Sequence, residues 1–207
     1  MECSMEYSVE SIKSSLKNRK VSRIFYREKY RAAVILPILE IDRGIHILFE
    51  VRSDSLSRHP GQISFPGGGI EQGENAFASA LRELEEECGI LPAHTALIGE
   101  LDTVENITGA VVTPFVCYID KTAQIKLQYD EVKEVFTIPL KKLLAEGLRE
   151  SKIKEVFSLA DDFPSEFLYG KEWKREYIYP VYYYRYGRHF IWGLTARILK
   201  HFLEIIV

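Results

Sequence analysis

Three successive glycines, Gly67, Gly68 and Gly69, lead within a few residues into a strongly helical pattern from Asn75 to Cys88, and this pairing constrains the fold most tightly. A helix advances ~100° per residue, so Glu83, Glu86 and Glu87, at i, i+3 and i+4, share about one third of its circumference. Phe77, Ala80, Leu81, Leu84 and Cys88 fill an adjacent face at helical spacing. That face requires burial against a sheet, which leaves the glutamates looking into a neighbouring cleft. Like charges at these spacings cost roughly 0.2–0.5 kcal/mol per pair, and helix formation does not call for them. A cation would offset the repulsion. With Cys88 on the buried side and no histidine on this helix, the donors are carboxylate oxygens, which favour Mg2+ or Mn2+ over Zn2+. Taken alone, Glu83, Glu85, Glu86 and Glu87 read as a solvated acidic face, the ordinary meaning of such a run.

The flanking segments supply the sheet. Arg31 to Glu40 and Ile45 to Val51 are rich in Val, Ile and Leu and flank Asp42-Arg43-Gly44, so they predict a hairpin. Arg52 to Gly73 is loop-like, with Pro60, Gly61, Pro66 and the three glycines. Further strands are expected over Ile98 to Val104, Ala110 to Ile119 and Val132 to Ile138, then a short helix from Pro139 to Glu146. An amphipathic helix within residues 8–20 opens the chain, with Ser8 as N-cap and Val9, Ile12 and Leu16 on one side. Residues 177–206 read as an aromatic strand pair, turning at Gly187, followed by a helix. Strands enclosing a central helix place the chain in the α/β (α+β) class.

A length of 207 residues suits one domain, expected to span 1–207. Ser151 to Pro164 is conceivable as a boundary, yet it is short and apolar for a linker. A net charge of −3 speaks against a dedicated nucleic-acid binder, which would show a basic excess. The first residues hold no apolar run of the secretory kind, and Ala32 to Leu39 is far short of the ~20 residues that span a bilayer, so no membrane partner is expected. Cys3, Cys88 and Cys117 have no metal-ligand spacing, and their odd number fits a reducing, cytoplasmic setting.

The acidic helix belongs to a longer pattern: Gly68, five residues, Glu74, seven residues, Arg82-Glu83-Leu84, Glu85, Glu86-Glu87, Cys88 and Gly89-Ile90. Over Gly68 to Ile90 the sequence therefore resembles the Nudix hydrolase family, with every specified position of the Nudix box filled. The resemblance implies an α/β/α sandwich with a mixed central sheet, and hydrolysis of a nucleoside diphosphate linked to another moiety. It implies Mg2+ or Mn2+ held by Glu83 and Glu87, with Glu86 as a third ligand or as the base. Arg82 can reach Glu74 or Glu86 and orient the carboxylates. Glu131, ahead of the last core strand, is placed like the glutamate outside the box that many members use as base or ligand; it reads equally as a strand-edge surface residue. A non-catalytic Nudix module would usually have lost box glutamates that this chain retains.

Upstream, Arg52-Ser53, Arg58, Gly61 and Phe65-Pro66-Gly67-Gly68 look like the coenzyme A motif of the CoA-pyrophosphatase branch. The chain departs from that motif at Ser57, where the branch has arginine, with Arg58 beside it. Val112 to Val116 and Ile191 to Leu199 look like the same branch, so the similarity runs from about Arg31 to Leu203. Coenzyme A carries a 3'-phosphate besides its diphosphate, and guanidinium forks with exposed glycine amides suit it. The resemblance thus implies coenzyme A or an acyl-CoA as substrate, with ADP-ribose, NADH or another nucleoside diphosphate derivative as the alternative. It also makes a homodimer the assembly to consider. The tyrosines from Tyr177 to Tyr186 fit core and interface positions on a strand pair better than a stacking surface for single-stranded RNA. His59 reads as a loop histidine.

Overall fold

The architecture follows from β1 (Arg31–Ile41), an almost unbroken apolar run of the kind that forms when a strand is covered on both faces. A computed structural model describes residues 30–105, 109–160, 162–163 and 174–207, together with Lys13 and Lys17. Of the opening amphipathic helix expected over residues 8–20, only Lys13 and Lys17 are described, both helical; the rest lies outside the described residues. After β1 come β2 (Gly44–Arg52), β3 (Ile63–Ser64), β4 (Gly67–Gly69) and α1 (Ala76–Cys88). A 3-10 turn at Pro92–His94 leads to β5 (Thr95–Glu100), β6 (Val104–Glu105), β7 (Val111–Ile119), β8 (Val132–Pro139) and α2 (Leu140–Glu146). The chain continues through β9 (Arg149–Ser158), β10 (Lys174–Tyr186), β11 (His189–Trp192) and α3 (Gly193–Ile205).

The main sheet runs β3-β2-β1-β7-β5, with β4 also on β1, β6 on β7 and β8 on β2. It is mixed because β1 lies parallel to β7 and antiparallel to β2 and β4. The N-terminal part of β1 pairs with β4 (Ala32↔Gly69 to Val34↔Gly67), and its C-terminal part pairs with β2 from Ile38↔Ile47 onward. Pro37, which has no N–H to give a ladder, falls in the gap between those two partners.

Alternation along β1 builds two apolar layers. Ala33 and Ile35 join Phe115, Cys117 and Ile119 beneath Ala80, Leu84 and Cys88 of α1. Leu84 is fully buried, which by itself stabilises the contact by about 1.5–3 kcal/mol. Leu36 and Ile38 face the other way and join Ile47, Phe49, Val51 and Val116 against Leu143 of α2 and Leu199, Phe202 and Leu203 of α3. A second, antiparallel sheet, β11-β10-β9, packs on this side, where Tyr184 is buried and donates its hydroxyl to Glu146 (2.6 Å). The result is the mixed α/β sandwich that the resemblance implied. No helix among the described residues is long and apolar enough to cross a membrane.

Two expectations are corrected and one segment gains a strand. The first part of Ser151 to Pro164, a stretch too short and apolar for a persuasive linker, belongs to β9, which runs through residues 149–158 and pairs with β10 from Arg149↔Tyr183 to Ser158↔Lys174. Its residues are exposed almost throughout, so no one-sided apolar alternation marked it as a strand. In the first hairpin the left-handed residues are Asp42 (φ 50°) and Arg43 (φ 62°), while Gly44 already pairs with Ile41. Two consecutive positive φ values are what a tight hairpin turn demands, and Asp accepts that region better than most residues. The three glycines form a strand rather than part of a loop. Gly67 has to be small, because a Cβ there would lie 2.3 Å from the Ala33 carbonyl oxygen and 2.6 Å from Val34 Cα, at φ +149°.

Gly67→Ala is therefore expected to destabilise the protein by at least ~2 kcal/mol, because neither the β1 backbone nor a relaxed φ can absorb the methyl group. Urea unfolding followed by circular dichroism checks this; an unchanged midpoint would show that β4 does not press on β1 as described.

Candidate active site

Local signals set the helix that carries the carboxylates. Asn75 is its N-cap, the Oδ1 accepting from the Ala78 N–H at 2.8 Å, and Gly89 closes it in the left-handed region (φ 68°) with its N–H donating to Glu85 O at 2.8 Å. A side chain at Gly89 would meet the backbone of Lys126 at 2.7 Å, so the box glycine is a matter of both turn and space.

Arg82 is the hub of the acidic face. Its Nε donates to Glu74 Oε1 (3.2 Å), and one terminal nitrogen reaches Glu83 Oε1 (2.9 Å) and Glu86 Oε2 (3.0 Å). The other terminal nitrogen reaches Glu74 Oε2 and the Gly69 carbonyl, both at 3.3 Å. The hydrogen bond from Arg82 holds the Glu74 carboxyl below the usual carboxylate range and pushes the Arg82 guanidinium up. Glu83 moves the opposite way, because desolvation outweighs its bond to Arg82.

Glu87 faces the sheet and is only 3% exposed. Its Oε2 accepts the Gly67 N–H at 2.9 Å, so this amide serves a carboxylate and is not among the exposed glycine amides expected for a ligand. Gly68 lies equally close to the helix: a Cβ there would sit 2.5 Å from the Glu83 carboxyl. Burial, followed by the charge of Glu50, pushes the Glu87 carboxyl well above its ordinary range.

Glu50, on β2, is the site residue that sequence reasoning missed. It is fully buried. Its Oε1 accepts the Ser64 hydroxyl at 2.8 Å, and its Oε2 is buried without a hydrogen-bond partner. Burial raises its pKa too, and Arg52, Glu131 and Glu83 all act on it electrostatically. A signal was present: Glu50 is the lone charge in the apolar run Ile47 to Val51, and an isolated charge is too costly to bury on a central strand without a purpose.

Comparison with known proteins follows the same line. The profile of the NUDIX domain matches residues 29–159. This chain belongs to the Nudix family. It is 33% identical over 171 residues to the Nudix hydrolase NudL of Escherichia coli (strain K12), a protein described as uncharacterized, covering 82% of this chain and 79% of that one. NudL of Citrobacter koseri is 32% identical over the same span. Among solved structures, a MutT/nudix family protein from Enterococcus faecalis superposes with a TM-score of 0.53 at 14% identity, covering 97% of this chain and 70% of that one, a likeness of fold. The chain is a Nudix pyrophosphohydrolase, an enzyme acting on diphosphate substrates.

Around the Nudix helix the remaining expected residues divide into near and far. Arg52 sits at a register shift between β2 and β8, a bulge of the kind that re-aims a side chain. Its Nε is buried without a partner, and its charge acts on Glu50 and Glu87. Ser53 donates its N–H to the Glu131 carbonyl (2.8 Å), which ties the exposed Glu131 turn to the end of β2; the Ser53 hydroxyl pairs with Ser55. Arg58 and Ser57 are exposed on the loop, and Gly61 turns it at φ 67°. His59 is exposed there too, at φ 56°. Phe65 is 2% exposed and stacks on Phe49 at 5.0 Å, while Pro66 is buried with its carbonyl accepting from Ile35 N–H. Those two residues fix the path of the glycine strand from within the core.

The donor set suits a hard divalent cation. Glu50, Glu83, Glu86 and Glu87 offer only oxygen, and one buried carboxylate oxygen has no partner. Cys88 is buried in the layer beneath α1, and its thiol is pushed far up by that burial. Among the described residues no three acidic, histidine or cysteine side chains already converge as a ligand cage. Arg82 draws Glu83 and Glu86 to itself and the Gly67 amide draws Glu87, so binding an ion requires side-chain rotation.

Lysine cannot reproduce the fork that Arg82 places between Glu74, Glu83 and Glu86. Arg82→Lys is expected to lower kcat by about 10–100-fold, the loss usual for groups that orient ligands. Steady-state kinetics beside a melting curve separates this from unfolding; full activity would remove the orienting role.

Proposed function

We propose that this enzyme hydrolyses the diphosphate bond of coenzyme A or an acyl-CoA, releasing 3',5'-ADP and 4'-phosphopantetheine or its acyl form. The observation that carries the reading is the junction of two things at one place: the carboxylate face of α1, and the Arg52-to-Gly68 segment that delivers Arg52 and the glycine strand against it. In this reading the chain acts as one domain, in the cytoplasm, with α3 and the second sheet backing the face opposite α1.

Glu83 and Glu87 would hold Mg2+ or Mn2+, with Glu86 as a third ligand or as the base. Such ions neutralise diphosphate oxygens and lower the pKa of bound water. Arg52, with Nε unpartnered inside the site, supplies a guanidinium to a phosphate oxygen of the substrate. Arg58, exposed on the same loop, is the cation offered to the 3'-phosphate, although Ser57 stands where the branch has arginine. Glu86 or Glu131 takes the proton of the attacking water. Arg82 keeps Glu74, Glu83 and Glu86 in register without touching substrate.

Incubation of the protein with Mg2+ or Mn2+ and, separately, coenzyme A, dephospho-coenzyme A, ADP-ribose and NADH, with products resolved by chromatography and mass, tests the substrate. Preferential release of 3',5'-ADP from coenzyme A is expected. Efficient cleavage of ADP-ribose or NADH with coenzyme A untouched would overturn the CoA assignment and leave the Nudix chemistry standing.

Glu86→Gln and Glu87→Gln are each expected to reduce kcat by roughly 10²–10⁴-fold while the melting temperature holds, since in the second variant the carboxamide keeps an oxygen for the Gly67 amide. Undiminished turnover in both variants would refute the assigned site.

A further inference from the structure

A carboxylate on a central strand, sealed from water, needs partners for both oxygens, because each unmade hydrogen bond to a buried charged group is costly. Glu50 has a partner for only one. Its side chain is fully buried; Ser64, opposite it in the β2–β3 ladder, donates its hydroxyl to Oε1 at 2.8 Å, and Oε2 has none. Glu50 also points to the working side of the sheet. Its neighbours Phe49 and Val51 belong to the layer under α3, whereas its cross-strand partner Val135 packs with the layer under α1. On that side lies the buried Glu87, and the Glu83 and Glu131 charges also bear on Glu50. A second acidic group beside Glu87 makes the pocket harder to keep without a cation. Arg52, two residues along the same strand, leaves its own Nε unpartnered and Glu50 Oε2 unbonded.

We propose that Glu50 is an additional metal ligand of this enzyme: Oε2 binds a divalent ion held together with Glu87, and Ser64 fixes the carboxylate by its other oxygen. Glu50 lies outside the Nudix box, and the inference rests on the metal-dependent reading given above. It makes β2 a contributor of charge to the site and gives Ser64 the task of orienting a ligand, as groups bonded to metal ligands commonly do.

Binding of Mn2+, counted by electron paramagnetic resonance and read again as the rise in melting temperature on adding Mn2+, tests this without reference to turnover. Glu50→Gln keeps size and the bond from Ser64 but donates poorly to a hard cation. It is expected to lower Mn2+ affinity at least about tenfold, or to lose one bound ion. The metal-free variant should melt no lower than the wild type, since a buried like charge has been removed. Ser64→Ala should weaken Mn2+ binding in the same direction. Wild-type stoichiometry and affinity in Glu50→Gln, with Glu87→Gln impaired, would overturn the proposal and spare the Nudix metal site. A wild-type protein that binds no Mn2+ would remove both. Should Glu50→Gln fail to fold, Glu50→Asp decides: a ligand withdrawn by one methylene loses affinity about tenfold, whereas wild-type affinity there overturns the proposal.

Discussion

The contact between the glycine strand and the two elements on either side of it governs the rest of this structure. β4 lies close enough to β1 that a single methyl group on Gly67 would strike the Ala33 carbonyl, and close enough to α1 that one on Gly68 would strike the Glu83 carboxyl. The Gly67 amide then bonds Glu87. Backbone pairing to β1 sets the height of β4, β4 sets where Glu83 and Glu87 sit, and the apolar side of α1 is locked on the same β1 by Ala80, Leu84 and Cys88. Helix and strand are thus referenced to one element, which holds acidic groups in place without help from flexible loops.

The electrostatic consequence is a site under tension with few internal counter-charges. Arg82 neutralises the outer part by bonding Glu74, Glu83 and Glu86 together. The inner part, Glu87 and Glu50, has one amide, one hydroxyl and the nearby charge of Arg52, and burial pushes both carboxyls up. Desolvating ions costs several kcal/mol each unless they are paired, so such an arrangement persists where a cation or an anionic substrate with its cations completes it. On the proposed function the same property suits a diphosphate, whose charge would be matched by Arg52 and by divalent ions rather than by a field of lysines. A chain with net charge −3 is able to carry such a site because the positive charge is local.

Much of this was legible in the residues. The i, i+3, i+4 glutamates and the apolar stripe between Asn75 and Cys88 give α1 to within a residue, since a helix of this kind is specified by local periodicity. β1, β2, β7 and β8 were legible because buried strands are apolar runs. β9 was not, because its exposed residues carry no alternation and it exists by pairing with β10, the next strand along the chain. The glycine run looked like loop because its function is absence of side chains, and only the neighbours at 2.3–2.6 Å show what the absence is for. Phe65 and Pro66 looked like substrate contacts within the motif, whereas they are buried and steer the strand from inside.

By itself the sequence determined the chemical class of the site: carboxylates in helical register, the box that spaces them, and hence the Nudix family and its diphosphate chemistry. Tertiary structure alone decided which charges face one another. Glu50 and Glu87 are separated by the whole of the loop and helix, and nothing in local periodicity relates them. They meet because β2 and α1 both lie on β1, and the face that a strand residue presents is fixed by its partners across the ladder. Short-range physics writes helices and turns into the chain, but desolvation and charge proximity depend on contacts between distant segments, and these exist only once the sheet has formed.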